Sequence, residues 1–346
     1  MWHLLGGSWD VLLCENQIEA MTAKKINALG FLFEEHLDVK GRISIAEVFL
    51  KSKPRCGIYL LSFPDKTFYI GQATDVVKRF SQHRKKYDSI VKLWFQPVRK
   101  SNLNETEQRL IHQAELSGLL LTNKTYVSNV IGETDLDLII PPARQDKWLE
   151  GNRQISNGDF DLYSTIERKY KMKYRENFRR FQKLVDYAEL KKLLKIYITK
   201  CLPAYKKTEM SFWSLSCMPS TFGGERAFCM NLNGMEVFVV GHDKKTGAAW
   251  CFMTVSNHFR VSVRIEKAIL KRYLSLKIEG SSYQAAGPDQ VMLRFADLQE
   301  LKTVLLQEKE VVASIKELNL RLMRKGATRY SAYHCFDFVQ DVMGSE

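Results

Sequence analysis

The sequence predicts an α+β chain of more than one module. Two changes of hydrophobic period and one charge-rich stretch between them carry that prediction. At 346 residues the chain exceeds what one core of about 100–200 residues usually holds. Short apolar strands alternate with capped helices between residues 55 and 135, and a second run of strands begins at Ser211. The expected divisions are an N-terminal helical segment (1–54), a β-β-α-β-α domain with a small antiparallel sheet (55–135), a basic helical linker region (136–210) and a second α+β domain (211–346).

The first segment reads as helical because apolar residues recur from Ile26 through Phe31 and Phe33, and again from Ile43 through Val48 and Leu50. After Lys51-Ser52-Lys53-Pro54, the strands Gly57 to Phe63 and Phe68 to Gly71 flank Pro64-Asp65-Lys66, which has the composition of a turn. Thr74 or Asp75 can cap a helix reaching about Tyr87. Ile90 to Val98 reads as a strand, and Asn104 can cap a helix to about Leu116.

From Tyr163 to Lys183 there is a surplus of six positive charges, while Tyr163, Ile166, Tyr170, Tyr174, Phe178 and Phe181 recur at helical spacing. A long amphipathic helix with a solvated basic face is expected there. In the last domain, Ala227 to Leu232 and Met235 to Val240 flank Asn233-Gly234, a favoured hairpin turn. Ala248 to Val255, Tyr273 to Ile278 and Gln290 to Phe295 extend the sheet, and Leu298 to Met323 reads as one or two closing helices.

Composition narrows the function. A hydrophobic content of 45% with 26% charged residues suits a chain that folds throughout. Lysine and arginine outnumber the acids 52 to 39, a net charge of +13, which fits a polyanionic partner. No window is apolar enough to span a membrane. Met1 to Leu13 carries Asp10 and no leading basic residue, unlike a secretory signal, and seven cysteines without a Cys-x-x-Cys pair read as reduced thiols. The expected location is cytoplasmic. Cys229, Cys251, His242 and His258 match no zinc spacing, so the cysteines read as core residues.

The chemistry sits on the first hairpin. Gly57-Ile58-Tyr59 is followed, after nine residues, by Tyr69-Ile70-Gly71. A turn at 64–66 pairs residues whose numbers sum to an even value, so Tyr59 and Tyr69 share one face. Arg79 and His83, four residues apart, share one face of the next helix. Glu107 stands in Glu107-Gln108-Arg109-Leu110-Ile111, with Glu105 as the other candidate carboxylate. Asn123 follows in Leu120-Leu121-Thr122-Asn123-Lys124 and fits better than Asn129. Taken singly, each has an ordinary reading: strand tyrosines, a surface arginine, or Glu107 as partner in a capping box begun by Asn104.

Together these six positions resemble the GIY-YIG nuclease family over roughly residues 55–135. The resemblance implies a GIY-YIG domain whose catalytic residues are Tyr59, Tyr69, Arg79, His83, Glu107 and Asn123. It implies a metal-dependent phosphodiester hydrolase acting on nucleic acid, DNA more than RNA. Tyr59 would be the base, held as phenolate by nearby positive charge, with His83 relaying its proton. Tyr69 would hold the water or the phosphate, and Arg79 would neutralise phosphate oxygens. Glu107 would hold one Mg²⁺ (or Mn²⁺), and Asn123 would be structural. Lys78, Arg84, Lys85, Lys86, Lys173, Arg175, Arg179 and Arg180 are the candidate nucleic-acid contacts. The last domain would recognise a target, form homo-oligomers or bind a protein partner, in the manner of a restriction or phage-defence enzyme. The alternatives are a catalytically silent nucleic-acid-binding or scaffold protein with the same fold, and an interaction protein whose hairpin matches by accident.

Overall fold

The computed structural model describes residues 24–26, 29, 36–50, 52–151, 155, 172–221, 223, 225–281 and 283–344. It is a mixed α+β protein with two antiparallel sheets, in two compact units, residues 1–131 and 132–346.

In the first unit β1 (Leu37–Asp38), β2 (Gly57–Ser62), β3 (Phe68–Ala73) and β4 (Lys92–Pro97) form a sheet in the order β1-β4-β2-β3. The β2–β3 register pairs Gly57 with Ala73, Tyr59 with Gly71 and Leu61 with Tyr69, the even sum expected from the turn. Lys66 takes a left-handed φ of +63°, and Asp65 Oδ1 accepts from Thr67 N and Thr67 Oγ1, which fixes that turn.

Alternation then divides the hairpin between two small cores. Tyr59 and Leu61 pack with Val76, Phe80 and Ile90, beneath helix α1 (Val76–Lys86). Ile58, Leu60, Phe68 and Ile70 pack with Leu103, Leu110 and Ile111, on helix α2 (Leu103–Leu116). Each buried aliphatic or aromatic side chain there contributes about 1.5–3 kcal/mol. Asp75 caps α1, accepting from Val77 N and Lys78 N. The expected β-β-α-β-α order is present, preceded by β1.

Two local expectations for this unit fail. Ile43 to Leu50 forms turns rather than a helix: Ile45 O accepts from Val48 N and Phe49 N in a single turn, with Ile45 and Phe49 buried and Ile43 82% exposed. Most of the Ile26–Phe33 repeat lies outside the described residues. Asn104 does not cap α2, which begins after Asn102; its side chain accepts from Gln72 Nε2 instead.

Arg84, expected as a nucleic-acid contact, is a structural residue. Its guanidinium is buried and donates to Val39 O at 2.5 Å, Asp88 O at 2.8 Å and Ile90 O at 3.2 Å, tying the β1 segment to the loop before β4. Arg84→Met is therefore expected to lower stability by about 2–4 kcal/mol, since buried carbonyls lose their donor. A urea titration checks this, and an unchanged midpoint would refute it.

The second unit is built on a six-stranded sheet, β5 (Trp213–Cys217), β6 (Arg226–Leu232), β7 (Met235–His242), β8 (Ala249–Ser256), β9 (Lys277–Gly280) and β10 (Gln290–Phe295), in the order β5-β6-β7-β8-β10-β9. Asn233, at φ +48°, and Gly234 make the β6–β7 turn with Leu232 opposite Met235. Phe228, Met230, Phe238 and Val240 face the main core with helices α3 (Pro142–Glu150), α4 (Arg175–Phe181), α5 (Tyr187–Cys201), α6 (Val263–Arg272), α7 (Leu298–Gln307), α8 (Lys309–Arg324) and α9 (Phe336–Gly344). The opposite face carries a small cluster of Cys229, Val239 and Phe252.

The stretch 136–210, expected as a separate basic region, shares this core through Leu136, Trp148, Phe178, Phe181 and Leu194. Lys316 of α8 donates to Trp148 O and Gly151 O and lies over the Trp148 ring, binding α3 into the unit. The anticipated helix from Tyr163 is broken by a turn at Lys173–Tyr174, after which α4 spans seven residues; its part before Met172 lies outside the described residues. The strand expected from Tyr273 begins only at Lys277, since Tyr273 ends α6.

Candidate active site

The face of β2 and β3 under α1 carries a polar cluster built around Tyr59. Its ring is 2% exposed, and the residue paired across from it is Gly71. A Cβ on Gly71 would come within 2.4 Å of Tyr59 Oη, so the glycine of the second triplet is the space the phenol occupies. The glycine of the first triplet has the same kind of cause: a Cβ on Gly57 would fall 2.0 Å from Gln96 O.

Tyr59 Oη meets His83 Nε2 at 2.7 Å and accepts from Arg79 Nε at 3.2 Å. Both partners come from α1 at i and i+4, which places them on one helix face. The Tyr69 ring lies 6.2 Å from that of Tyr59 and 4.9 Å from that of His83. Tyr69 is half-buried, so the cluster opens toward solvent on its side.

Electrostatics fix the protons. Burial pushes the Tyr59 phenol well above its ordinary range, and the neighbouring Tyr69 adds to this; the Arg79 hydrogen bond and charge pull the other way without prevailing. The resting phenolate expected from nearby positive charge is therefore replaced by a neutral phenol. Burial, with the charges of Arg79 and Lys86, lowers His83 to about 4. At neutral pH the imidazole is thus uncharged, Tyr59 donates to its Nε2, and Arg79 donates to the phenol oxygen.

This shift sets a pH dependence. His83 in the unfolded chain titrates at 6.5 and in the native unit at about 4, so between those values only the unfolded chain binds the proton. Native stability then falls as pH drops through that window. His83→Gln is expected to flatten that part of the urea-midpoint profile, and an identical slope in the variant would refute the assignment.

Glu107 approaches the hairpin from α2. Its Oε2 accepts from Gln72 Nε2 at 2.9 Å. As the fifth residue of α2 it is not a capping-box partner. Burial raises its pKa, opposed by hydrogen bonding from Gln72 and the Arg79 charge; its own charge in turn raises both tyrosines. Glu105 is exposed, on the first turn of the helix.

Asn123 completes the edge of the sheet. β3 is an edge strand whose outward groups at Phe68 bond to Leu120 O and Thr122 N. At Ile70 the Asn123 side chain takes over, with Oδ1 accepting from Ile70 N at 3.1 Å and Nδ2 donating to Ile70 O at 2.8 Å. At Gln72 the side-chain amide donates to the Glu107 carboxylate. Asn123 is buried and structural, whereas Asn129 is exposed.

The structure thus brings Tyr59, Tyr69, Arg79 and His83 together and sets Glu107 at the adjoining strand edge. Gln72 is the residue that sequence reasoning missed. Its parity, opposite to that of the tyrosines, was the available signal, because alternation turns it toward α2. Among the described residues, no three or more histidine, cysteine, aspartate or glutamate side chains converge on a metal-sized position. A lone half-buried carboxylate suits a hard cation whose other ligands are water and substrate phosphate, not a zinc-type cage.

Of the other expected nucleic-acid contacts, Lys78, Lys85 and Lys86 are exposed on α1. Arg175 pairs with Asp337 at 2.8 Å, Lys173 donates to Ala332 O at 2.9 Å, and Arg179 stands 3.6 Å from Glu176. Arg180 is exposed, and no carboxylate takes its guanidinium among the described residues. In the second unit the Cys229 and Cys251 thiols are buried, while His242 pairs with Asp186 and His258 with Glu317.

Comparison with protein-family models, with curated proteins and with solved structures finds no match to this chain. The case for a function is therefore carried by the residues and their geometry. No helix among the described residues is long and apolar enough to cross a membrane.

Proposed function

We propose that the first unit is a GIY-YIG-type endonuclease domain that hydrolyses phosphodiester bonds of nucleic acid, DNA in preference to RNA, using Mg²⁺ or Mn²⁺. The observation that carries this reading is the position of Tyr59 Oη between a neutral imidazole and a guanidinium. That arrangement can move a proton and stabilise the charge the move leaves behind.

In the proposed reaction water attacks phosphorus in line and the 3′ oxygen leaves. Tyr59 passes its proton to His83 Nε2, giving a transient imidazolium and phenolate; the phenolate then takes a proton from the attacking water, and the leaving 3′ oxygen takes one from solvent. Arg79, donating to the phenol oxygen, stabilises the negative charge that develops there and faces the phosphate with its remaining donors. Tyr69, half-exposed beside both, orients the water or the phosphate. The Glu107 carboxylate would hold the divalent cation, which when bound supplies charge neutralisation at the phosphate and the leaving oxygen. Lys78, Lys85 and Lys86 supply exposed positive charge on the same helix as Arg79. A restriction or phage-defence enzyme is the class that a catalytic domain joined to a second α+β unit fits best.

A second reading is favoured by the burial of Tyr59: a nucleic-acid-binding scaffold that keeps the fold without turnover. Incubating the purified chain with plasmid, single-stranded DNA and RNA, in Mg²⁺ or EDTA, separates the two. The nuclease reading expects Mg²⁺-dependent products. Salt-sensitive binding with no cleavage of any substrate would leave only the scaffold.

A further inference from the structure

The outer face of the second unit's sheet holds a cavity of about 870 Å³ that the nuclease reading does not use. Its floor is polar and fixed. Arg226 of β6 and Glu236 of β7 form a two-pronged ion pair, Nη2 to Oε2 at 2.9 Å, and Tyr283 Oη donates to the same carboxylate at 3.0 Å. The pairs Met230–Phe238 and Asn231–Glu236 leave Val237 as an extra residue in β7, and this bulge keeps Asn231 and Glu236 opposite each other on the outer face.

Asn231 is 6% exposed and lines the cavity. Among the described residues its carboxamide meets only the Cys229 thiol, at 3.5 and 3.8 Å. A thiol is a weak partner, so a buried amide donor and acceptor are left for something that enters the cavity. One wall carries two tyrosine rings from the same short segment; Tyr330 and Tyr333 are 37% and 57% exposed, with ring centres 6.5 Å apart. At the margin Arg180 adds a positive charge that no carboxylate among the described residues cancels.

These features select a ligand chemistry. An uncharged carbohydrate would use the rings and the amide but leave the positive charge unmatched, and a simple anion would use only the guanidinium. A flat heterocycle with a donor–acceptor edge and an attached phosphate uses all three. We infer that this cavity binds one unpaired nucleotide, its base edge on Asn231, its ring against Tyr330 and Tyr333, and its phosphate on Arg180. The source of that nucleotide is either a free mononucleotide or a nucleotide in an unpaired strand.

The test uses the full chain in EDTA, with calorimetric titration of each common mononucleotide and its nucleoside. At least one mononucleotide is expected to bind more tightly than about 1 mM. Asn231→Leu is expected to weaken it about tenfold or more, because a buried polar edge then loses its partner. Tyr333→Ala, at an exposed ring that leaves the core intact, is expected to weaken it about tenfold. Arg180→Gln should weaken nucleotide but not nucleoside, a split that a merely structural role would not produce. Displacement by a short single strand but not by a fully paired duplex assigns the site to strands; displacement by neither assigns it to free nucleotides. Absence of mononucleotide binding in the wild-type chain, or binding indifferent to all three substitutions, overturns the inference. Cleavage without such binding sinks this inference alone, and binding without cleavage sinks the nuclease reading alone.

Discussion

Glu107→Ala is expected to lower Mg²⁺-dependent cleavage by about 10³-fold or more, since it removes the carboxylate that meets the hairpin edge at Gln72 and with it the candidate cation site. The fold should survive. Burial already disfavours the ionised carboxylate, as its raised pKa shows, and alanine suits the middle of a helix. Wild-type protein should show a Tm that rises with Mg²⁺ concentration, and the variant should not. Undiminished cleavage by a correctly folded Glu107→Ala protein would remove the carboxylate from the mechanism.

Tyr59→Phe comes next in size. It keeps the ring that Gly71 accommodates and deletes only the hydroxyl between His83 and Arg79. The expected loss is about 10²–10⁴-fold in the rate of cleavage, the usual range for a positioned proton-transfer group. Substrate affinity should hold, because the exposed lysines of α1 are untouched. Stability should fall by about 1–3 kcal/mol as the buried His83 ring and the partly exposed Arg79 lose their partner. Single-turnover rates, with enzyme in excess of substrate and above Kd, separate the effects. A rate within a few-fold of wild type would move the base elsewhere, with Tyr69, the more exposed phenol, the first group to examine.

Much of the first unit was readable from local chemistry. The Pro64-Asp65-Lys66 turn fixed an even register, the register put Tyr59 and Tyr69 on one face, and Asp75 started the helix that brings Arg79 and His83 to them. Each of those steps spans few residues. What failed depended on partners distant in sequence. The Arg84 side chain looked like a surface cation until Val39, from a segment 45 residues earlier, supplied the carbonyl that buries it. Asn104 looked like a cap because its pairing with Gln72, 32 residues away, leaves no local trace. The phenolate failed for a related reason: charge is visible in a sequence, whereas the burial that outweighs it is not.

In the second unit the Asn233-Gly234 hairpin and strand β10 were legible from turn chemistry and apolar runs. The merging of residues 136–210 into that unit's core was not, because Trp148 and Leu194 find their partners only when the sheet exists. The basic stretch after Tyr163 illustrates the same limit. Its charges were counted correctly, yet Arg175 is spent on Asp337, 162 residues away, and among those from Lys173 onward Arg180 stands apart at a cavity margin.

Because the Glu107 carboxylate accepts from the Gln72 side chain on strand β3, the proposed binding of a cation at that carboxylate and the Gln72 contact would form one thermodynamic cycle. Whatever draws the carboxylate away must loosen the Gln72 amide by the same free energy with which an intact amide restrains the carboxylate. If a cation binds there as proposed, the resonances of the Gln72 side-chain amide would report its occupancy, readable without any substrate present.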